Sequence, residues 1–369
     1  MKSRRSFIRN SALLAASAVV APHIGLAARS GRKTDADVII GHGKHRYRVD
    51  TAWAKIDAAK TPLANCHEMV FDSKGRLIML GDETKNNVLI FDKSGKLLDT
   101  WGHGLPGGHG LTLAKEGSED FLIMTDCGYF NNPKGGPNSQ AGQVLKTTTD
   151  GRLVFAIGHP RTIGVYKDDE PFRPTETAVA PNGDIYVADG YGSDYIIQYN
   201  SKGQYIRHFG GHNNSNPDHN LRNAHGVTID SRGSGAPVVI CTSREENCFK
   251  VFSLEGKFIK RIDLPGMYVC RPVINGDELY AGCCWSKDSS GKRTDRSGFV
   301  TILDKNNRVI SNPGGTAPEY KGAALTPALQ EKPGIFSHCH DVCVDDEQNL
   351  YVCQWNANQT PPVKLNRIV

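Results

Sequence analysis

The chain has 369 residues, 38% hydrophobic and 22% charged, with 39 glycines, ten cysteines and a formal net charge of +5. Lys2, Arg4, Arg5 and Arg9 lie within the first 28 residues, which hold no acid, and setting those four aside leaves +1. The near-neutral, glycine-rich remainder has no electrostatic footprint for a nucleic acid and fits a turn-rich β protein in a single domain.

The chain opens with Ser3-Arg4-Arg5-Ser6-Phe7-Ile8-Arg9, an apolar run from Ser11 to Ala21, and small residues at Ala27 and Ala28. Paired arginines, the Phe and a short apolar region together predict a twin-arginine export signal over residues 1–28, against the simpler reading of a basic helix terminus. The apolar run is too short to span a bilayer, and nothing later in the chain reads as a span. Twin-arginine export carries folded proteins, so the expected location is periplasmic or secreted, free of the membrane after signal cleavage. Residues 29–44 read as a linker and 45–369 as one domain.

From Asn65 onward, short β-like runs separated by turn residues recur in six copies. They begin near Asn65, Gly108, Phe172, Arg222, Val269 and His340, and the last is one strand short. The third, FRPTETAVAPNGDIYVADGYGSDYIIQYNSKGQYIRHFG, shows the pattern most plainly: four runs, with Pro181-Asn182-Gly183 and Ser201-Lys202-Gly203 as turns. Six four-stranded copies predict an all-β, six-bladed propeller; an open solenoid or sandwich is the alternative. Tyr47–Trp53 is expected to supply the missing strand, closing the ring without a free edge. The Gly/Pro/Ser-rich segments Tyr129–Ala141, Ser286–Arg296 and Asn312–Gly334 read as surface loops. The G-x-[LIF] turns and aromatic-glycine endings resemble NHL repeats.

The first strand of each blade lines the central channel, and the residues opening it are His67, His109, Thr175, His225, Arg271 and His340. His109, His225 and His340 fall on alternate blades, so their imidazoles are expected to converge with trigonal symmetry. That is the three-ligand arrangement of a catalytic zinc site; copper or iron also accept imidazole. Taken singly, each reads as a hydrogen-bonded channel residue. His67 and Arg271 are candidates for substrate contact or for filling the channel. Second strands return to the same mouth, where Tyr191 and Arg244 occupy equivalent positions on neighbouring blades. A phenol of lowered pKa beside a metal can exchange a proton, and an arginine can clamp a carboxylate. Without the histidines they read as a turn tyrosine and a solvated arginine.

These residues together resemble the peptidyl-α-hydroxyglycine α-amidating lyase family, over nearly the whole mature chain. The resemblance implies zinc on His109, His225 and His340, Tyr191 as catalytic tyrosine and Arg244 as a substrate-binding arginine. It further implies a structural calcium held by the Asp341 carboxylate and the Leu111 carbonyl. Two features depart from the family: Cys66-His67-Glu68 stands where another arginine is expected, and Gly192 follows Tyr191 in place of a bridged cysteine. The expected activity is a metal-dependent carbon–nitrogen lyase acting on a small or peptide-derived, hydroxylated, carboxylate-bearing amide. A non-catalytic propeller that docks a protein or ligand, and a metal-assisted hydrolase, are the alternatives. Cys241 and Cys248 flank the turn carrying Arg244 and are candidates for a disulfide. Cys66, Cys270 and Cys339 each precede a ring residue, as packed thiols or soft metal ligands. Oligomeric state is left open by the sequence.

Overall fold

The computed structural model describes residues 38–131 and 137–368; the export signal expected at the N-terminus lies outside them. Six antiparallel sheets form the blades of a propeller. The inner strands run Cys66–Phe71, Gly108–Glu116, Glu176–Val179, Val227–Asp230, Met267–Asn275 and Cys339–Val344 in blades one to six. Many of the turns that join neighbouring strands share one device. Asp72 and Asp92 each turn a carboxylate oxygen back to accept backbone N–H groups two and four residues on. Asn200 does the same with its amide oxygen. Each such turn ends on a left-handed residue. At Gly95 the need for glycine is double: φ is 83°, and a Cβ there would lie 1.8 Å from the Trp53 carbonyl oxygen.

The strands read as continuous apolar runs because both faces of every blade are covered. Each seam between neighbouring blades holds its own buried cluster. Ile78, Leu80 and Val88 of blade one meet Leu111, Leu122 and Met124 of blade two. Tyr47, Val352 and Val363 of blade six meet Tyr280, Val300 and Ile302 of blade five. Ring closure follows the expectation with a shifted boundary. The closing strand is His45–Asp50, antiparallel to Val363–Ile368, and Ile39–His42 adds a fifth strand outside it. Trp53 falls beyond the strand and packs against Phe91 and Tyr351 at the seam of blades one and six.

The inner strands are irregular where the channel narrows. Registers slip between Cys66 and Glu68, Gly108 and Leu111, Val269 and Pro272, and Cys339 and Asp341. His67 and His340 are themselves unpaired bulge residues. A bulge breaks the in-out alternation, so that neighbouring residues on one strand both reach the channel. The expected Cys241–Cys248 bridge does not form: Cys241 lies opposite Lys250 and Cys248 opposite Ser243, and all ten cysteines are buried free thiols.

Candidate metal centre

Four imidazoles meet near one mouth of the channel. His109, His225 and His340 converge as expected, with ring centroids 4.5–4.8 Å apart. His67 joins them at 4.9 Å from His109 and 4.8 Å from His340. All four are buried. Nδ1 of His109 lies 2.7 Å from the Thr175 carbonyl, and Nδ1 of His340 lies 3.1 Å from the His67 carbonyl. A carbonyl can only accept, so each Nδ1 carries the proton and each Nε2 presents a lone pair. Those two Nε2 atoms face each other at 3.2 Å. Two acceptors that close repel unless a cation lies between them, and carbonyls fixing the tautomer in this way are the outer support of a metal-ligating histidine.

The remaining pair divides the other roles. Nε2 of His225 is 3.1 Å from the Tyr191 hydroxyl, and its Nδ1 has no hydrogen-bond partner among the described residues. Nε2 of His67 lies 3.4 Å from Asp82, and its Nδ1 is likewise unpartnered. His67, His109 and His340 form the tightest set, each offering a ligand atom within 4.8 Å of the others. His109 and His340 thus belong to every plausible ligand set, with His67 and His225 competing for the third place. Burial, then the charge of Arg244, pushes His225 well below the ordinary imidazole value; burial with the neighbouring His109 and His67 does the same to His340, and burial with His67 to His109. Neutral imidazoles with paired orphan nitrogens fit a borderline transition ion such as zinc.

Tyr191 closes the cluster from the side, its hydroxyl 3.1 Å from His225 and 3.3 Å from His109. The turn that carries it is held by Asp189, whose buried carboxylate accepts the Arg173 and Ser193 N–H groups and the Tyr166 hydroxyl. Gly190 is required there, since a Cβ would lie 2.3 Å from the Ala224 carbonyl oxygen. Contrary to the expected lowered pKa, burial raises the phenol of Tyr191, and the charge of nearby Arg244 only partly opposes it. Lowering it requires a further cation.

Arg244 begins a short turn after Val238–Ser243 and is 2% exposed. Its guanidinium donates to the Val269 carbonyl at 3.4 Å and to Cys270 Sγ at 3.3 Å, and lies 5.5 Å from the Trp285 ring. The carboxylates beside it in sequence are engaged elsewhere, Glu245 with Arg293 and Glu246 with Lys250. Among the described residues it has no carboxylate partner within ion-pair distance. The acidic group in contact with it is Cys270: burial raises that thiol, but a hydrogen bond with Cys284 and the charge of Arg244 outweigh it and hold the thiol below its ordinary value.

Arg271 is not free to meet substrate. It sits one layer below the histidines, and its guanidinium is held by Asp341 at 2.8 and 3.0 Å, the Leu111 carbonyl at 2.7 Å and the Met69 carbonyl at 3.1 Å. Glu68 and Glu176 lie 3.2 and 3.6 Å away. Asp341 and Leu111, the expected calcium ligands, therefore converge on a guanidinium, and that donor set does not fit calcium as well. The acids of this layer had a signal in the sequence: Glu68, Glu176 and Asp341 each follow a ring residue directly. Cys270 beside Arg244 was marked in the sequence by its place before a ring residue, whereas the rim formed by Trp285, Arg293, Tyr129 and Arg173 gave no comparable pattern.

No protein-family model matches the chain. Among curated proteins it is 29% identical over 194 residues to human NHL repeat-containing protein 3, covering 51% of this chain and 52% of that one. It is 27% identical over 185 residues to a probable peptidyl-α-hydroxyglycine α-amidating lyase of Caenorhabditis elegans, covering 48% and 47%. It is 24% identical over 286 residues to peptidyl-α-hydroxyglycine α-amidating lyase 1 of Drosophila melanogaster, covering 75% and 47%. The chain resembles NHL-repeat and amidating-lyase propellers. It spans about half the length of these curated relatives. Among solved structures, a Xanthomonas campestris gluconolactonase superposes with a TM-score of 0.55 at 11% identity, covering 90% of this chain and 96% of that one. A streptogramin B lyase gives 0.50 at 12% identity, covering 83% and 94%. At such identities they establish the propeller fold alone.

Proposed function

We propose that this exported propeller is a metal-dependent carbon–nitrogen lyase that cleaves an α-hydroxylated, carboxylate-bearing amide to the primary amide and glyoxylate. The observation that carries the reading is one constellation: two opposed imidazole lone pairs, a phenol on the same cluster, and a buried guanidinium beside it with no carboxylate partner among the described residues. The amidating-lyase relatives supply the substrate class. His109 and His340 would hold the metal with His225 as third ligand, the choice of His225 resting on the Tyr191 hydroxyl, which touches both His109 and His225. When bound, zinc or a similar ion supplies Lewis acidity that favours ionisation of a hydroxyl group.

Arg244 takes the substrate carboxylate in a two-pronged grip and fixes which face of the carbinol carbon meets Tyr191. The reaction breaks the carbon–nitrogen bond as the hydroxyl oxygen becomes the aldehyde carbonyl, and the hydroxyl proton ends on the departing amide nitrogen. Tyr191 is placed to carry that proton between the two atoms. The test is glyoxylate release from an N-acyl-α-hydroxyglycine by protein purified with zinc, alongside elemental analysis. Protein that retains one equivalent of metal yet releases no glyoxylate rules out this reaction. Protein that holds no transition metal favours a docking propeller, the reading that the similarity to human NHL repeat-containing protein 3 supports.

A further inference from the structure

Beneath the histidines, five of the six inner strands send a group to one point on the channel axis. Blade one gives Glu68 and the Met69 carbonyl, blade two the Leu111 carbonyl, blade three Glu176, blade five Arg271 and blade six Asp341. Three carboxylates and two carbonyls, all oxygen donors, surround one guanidinium. A hard inorganic cation ordinarily takes such a shell. Here the Nε and both Nη atoms of Arg271 are used: Nε and Nη2 grip Asp341, Nη1 meets Leu111, and Nη2 also meets Met69. The oxygens are fixed in turn, with Asp341 accepting the Met69 N–H at 3.0 Å and Glu68 the Leu111 N–H at 2.6 Å.

We infer that Arg271 is the resident cation of the channel: its guanidinium replaces a structural metal ion, ties five blades together and forms the floor of the histidine site. The inference holds whatever reaction the histidines support, because it concerns the layer below them. Its first consequence is that the folded protein needs no calcium. Its second is that removing the guanidinium leaves a cage of oxygen donors that selects calcium over magnesium, since bulky carbonyls and carboxylates from separate blades suit flexible coordination better than a strict octahedron.

The test uses the mature protein and thermal unfolding in EGTA, in calcium and in magnesium at millimolar concentrations, with calcium content measured on each sample. Wild type is expected to keep the same Tm in all three and to contain no stoichiometric calcium. Arg271→Ala is expected to lose on the order of 5–10 °C in EGTA, the size anticipated when one partner of a buried ion-pair network is removed. Calcium should restore at least half of that loss, and magnesium much less. Should Arg271→Ala be too unstable to purify in EGTA, Arg271→Lys serves, keeping the charge but losing the fork, with a smaller loss and a smaller calcium response. A wild-type Tm that falls in EGTA, or one equivalent of calcium in purified wild type, overturns the inference. So does a destabilised variant that no divalent cation restores. Glyoxylate release plays no part in these readouts, so failure here and failure of the proposed reaction are separable.

Discussion

Replacing Glu176 by glutamine isolates the electrostatics of the channel floor. Glu176 is fully buried; Oε1 accepts the Thr177 N–H at 2.7 Å, while Oε2 has no hydrogen-bond partner among the described residues. Burial pushes its carboxyl from 4.5 to about 7 against the pull of Arg271, of the facing Glu68 carboxyl and of the Thr177 N–H, with the charge of Asp341 adding to the rise. In the folded protein the proton therefore stays on over a pH range where the unfolded chain has lost it. That contribution to stability is fully present below pH 4.5 and is lost as pH rises through 7. A shift of ~2.5 units at ~1.4 kcal/mol per unit is worth about 3 kcal/mol, as an order of magnitude. Glutamine mimics the protonated acid and cannot titrate. The stability of Glu176→Gln relative to wild type should therefore rise by about 3 kcal/mol between pH 4.5 and pH 8, measured by urea unfolding at closely spaced pH values. Stability curves that stay parallel to within about 0.5 kcal/mol would refute the reasoning.

Tyr191→Phe should keep fold and metal but lower kcat by about 10²–10⁴, the usual worth of a general acid–base group, in the glyoxylate assay; an unchanged kcat removes the phenol from the chemistry. Arg244→Met should lower kcat/KM for the carboxylate substrate by about 30-fold or more while leaving a carboxamide analogue nearly unaffected, because only the charged group meets the guanidinium. Competitive chelation should show that His225→Ala weakens metal binding far more than His67→Ala, and the opposite order would make His67 the third ligand. Native protein should show no rapidly reacting thiol towards a disulfide reagent, and all ten after denaturation without reductant; eight would reveal a disulfide.

The blades were readable in the sequence because a propeller repeats its local instructions. Each turn needs a carboxylate, amide or hydroxyl at one position and a left-handed residue three places on, and Asp72-Gly75, Asp92-Gly95 and Asn200-Gly203 state this openly. The histidines were readable for a related reason, since equivalent positions in equivalent blades meet at the axis. The layer below them was harder to read: its acids each follow a ring residue directly, but simple strand alternation sends the residue after a channel residue into the blade. The bulges at His67 and His340 cancel that alternation, and Glu68 and Asp341 turn inward with their neighbours. A bulge is a backbone event set by packing between strands, and no residue pattern announced it. A slip between Val269 and Pro272 accompanies the descent of Arg271, read as a substrate contact or a channel-filling residue at the level of the histidines, to the acids, where it fills the channel. Cys241 and Cys248 failed for a different reason: seven residues apart across a turn looks close, but the register set by the Arg244–Glu246 turn offsets them by two positions.

The two layers give the channel a charge gradient that bears on what can enter. At the mouth stand neutral imidazoles and the guanidinium of Arg244; a divalent ion there makes the region strongly cationic. Below, three carboxylates face the single guanidinium of Arg271, and burial raises Glu68 and Glu176 so that protonation trims the excess negative charge. Arg244 is not reached by the floor acids, which Arg271 engages; the acidic group that faces it is the Cys270 thiol at 3.3 Å, which the guanidinium helps hold below its ordinary value against burial. Were Arg271 absent, those acids would be free to attract whatever cation occupied the histidines, and the division between a structural floor and a reactive mouth would be lost. The buried arginine pair thus separates the two layers: one guanidinium is enclosed by carboxylates and carbonyls of the fold, and the other meets no carboxylate among the described residues, only the Val269 carbonyl and the Cys270 thiol.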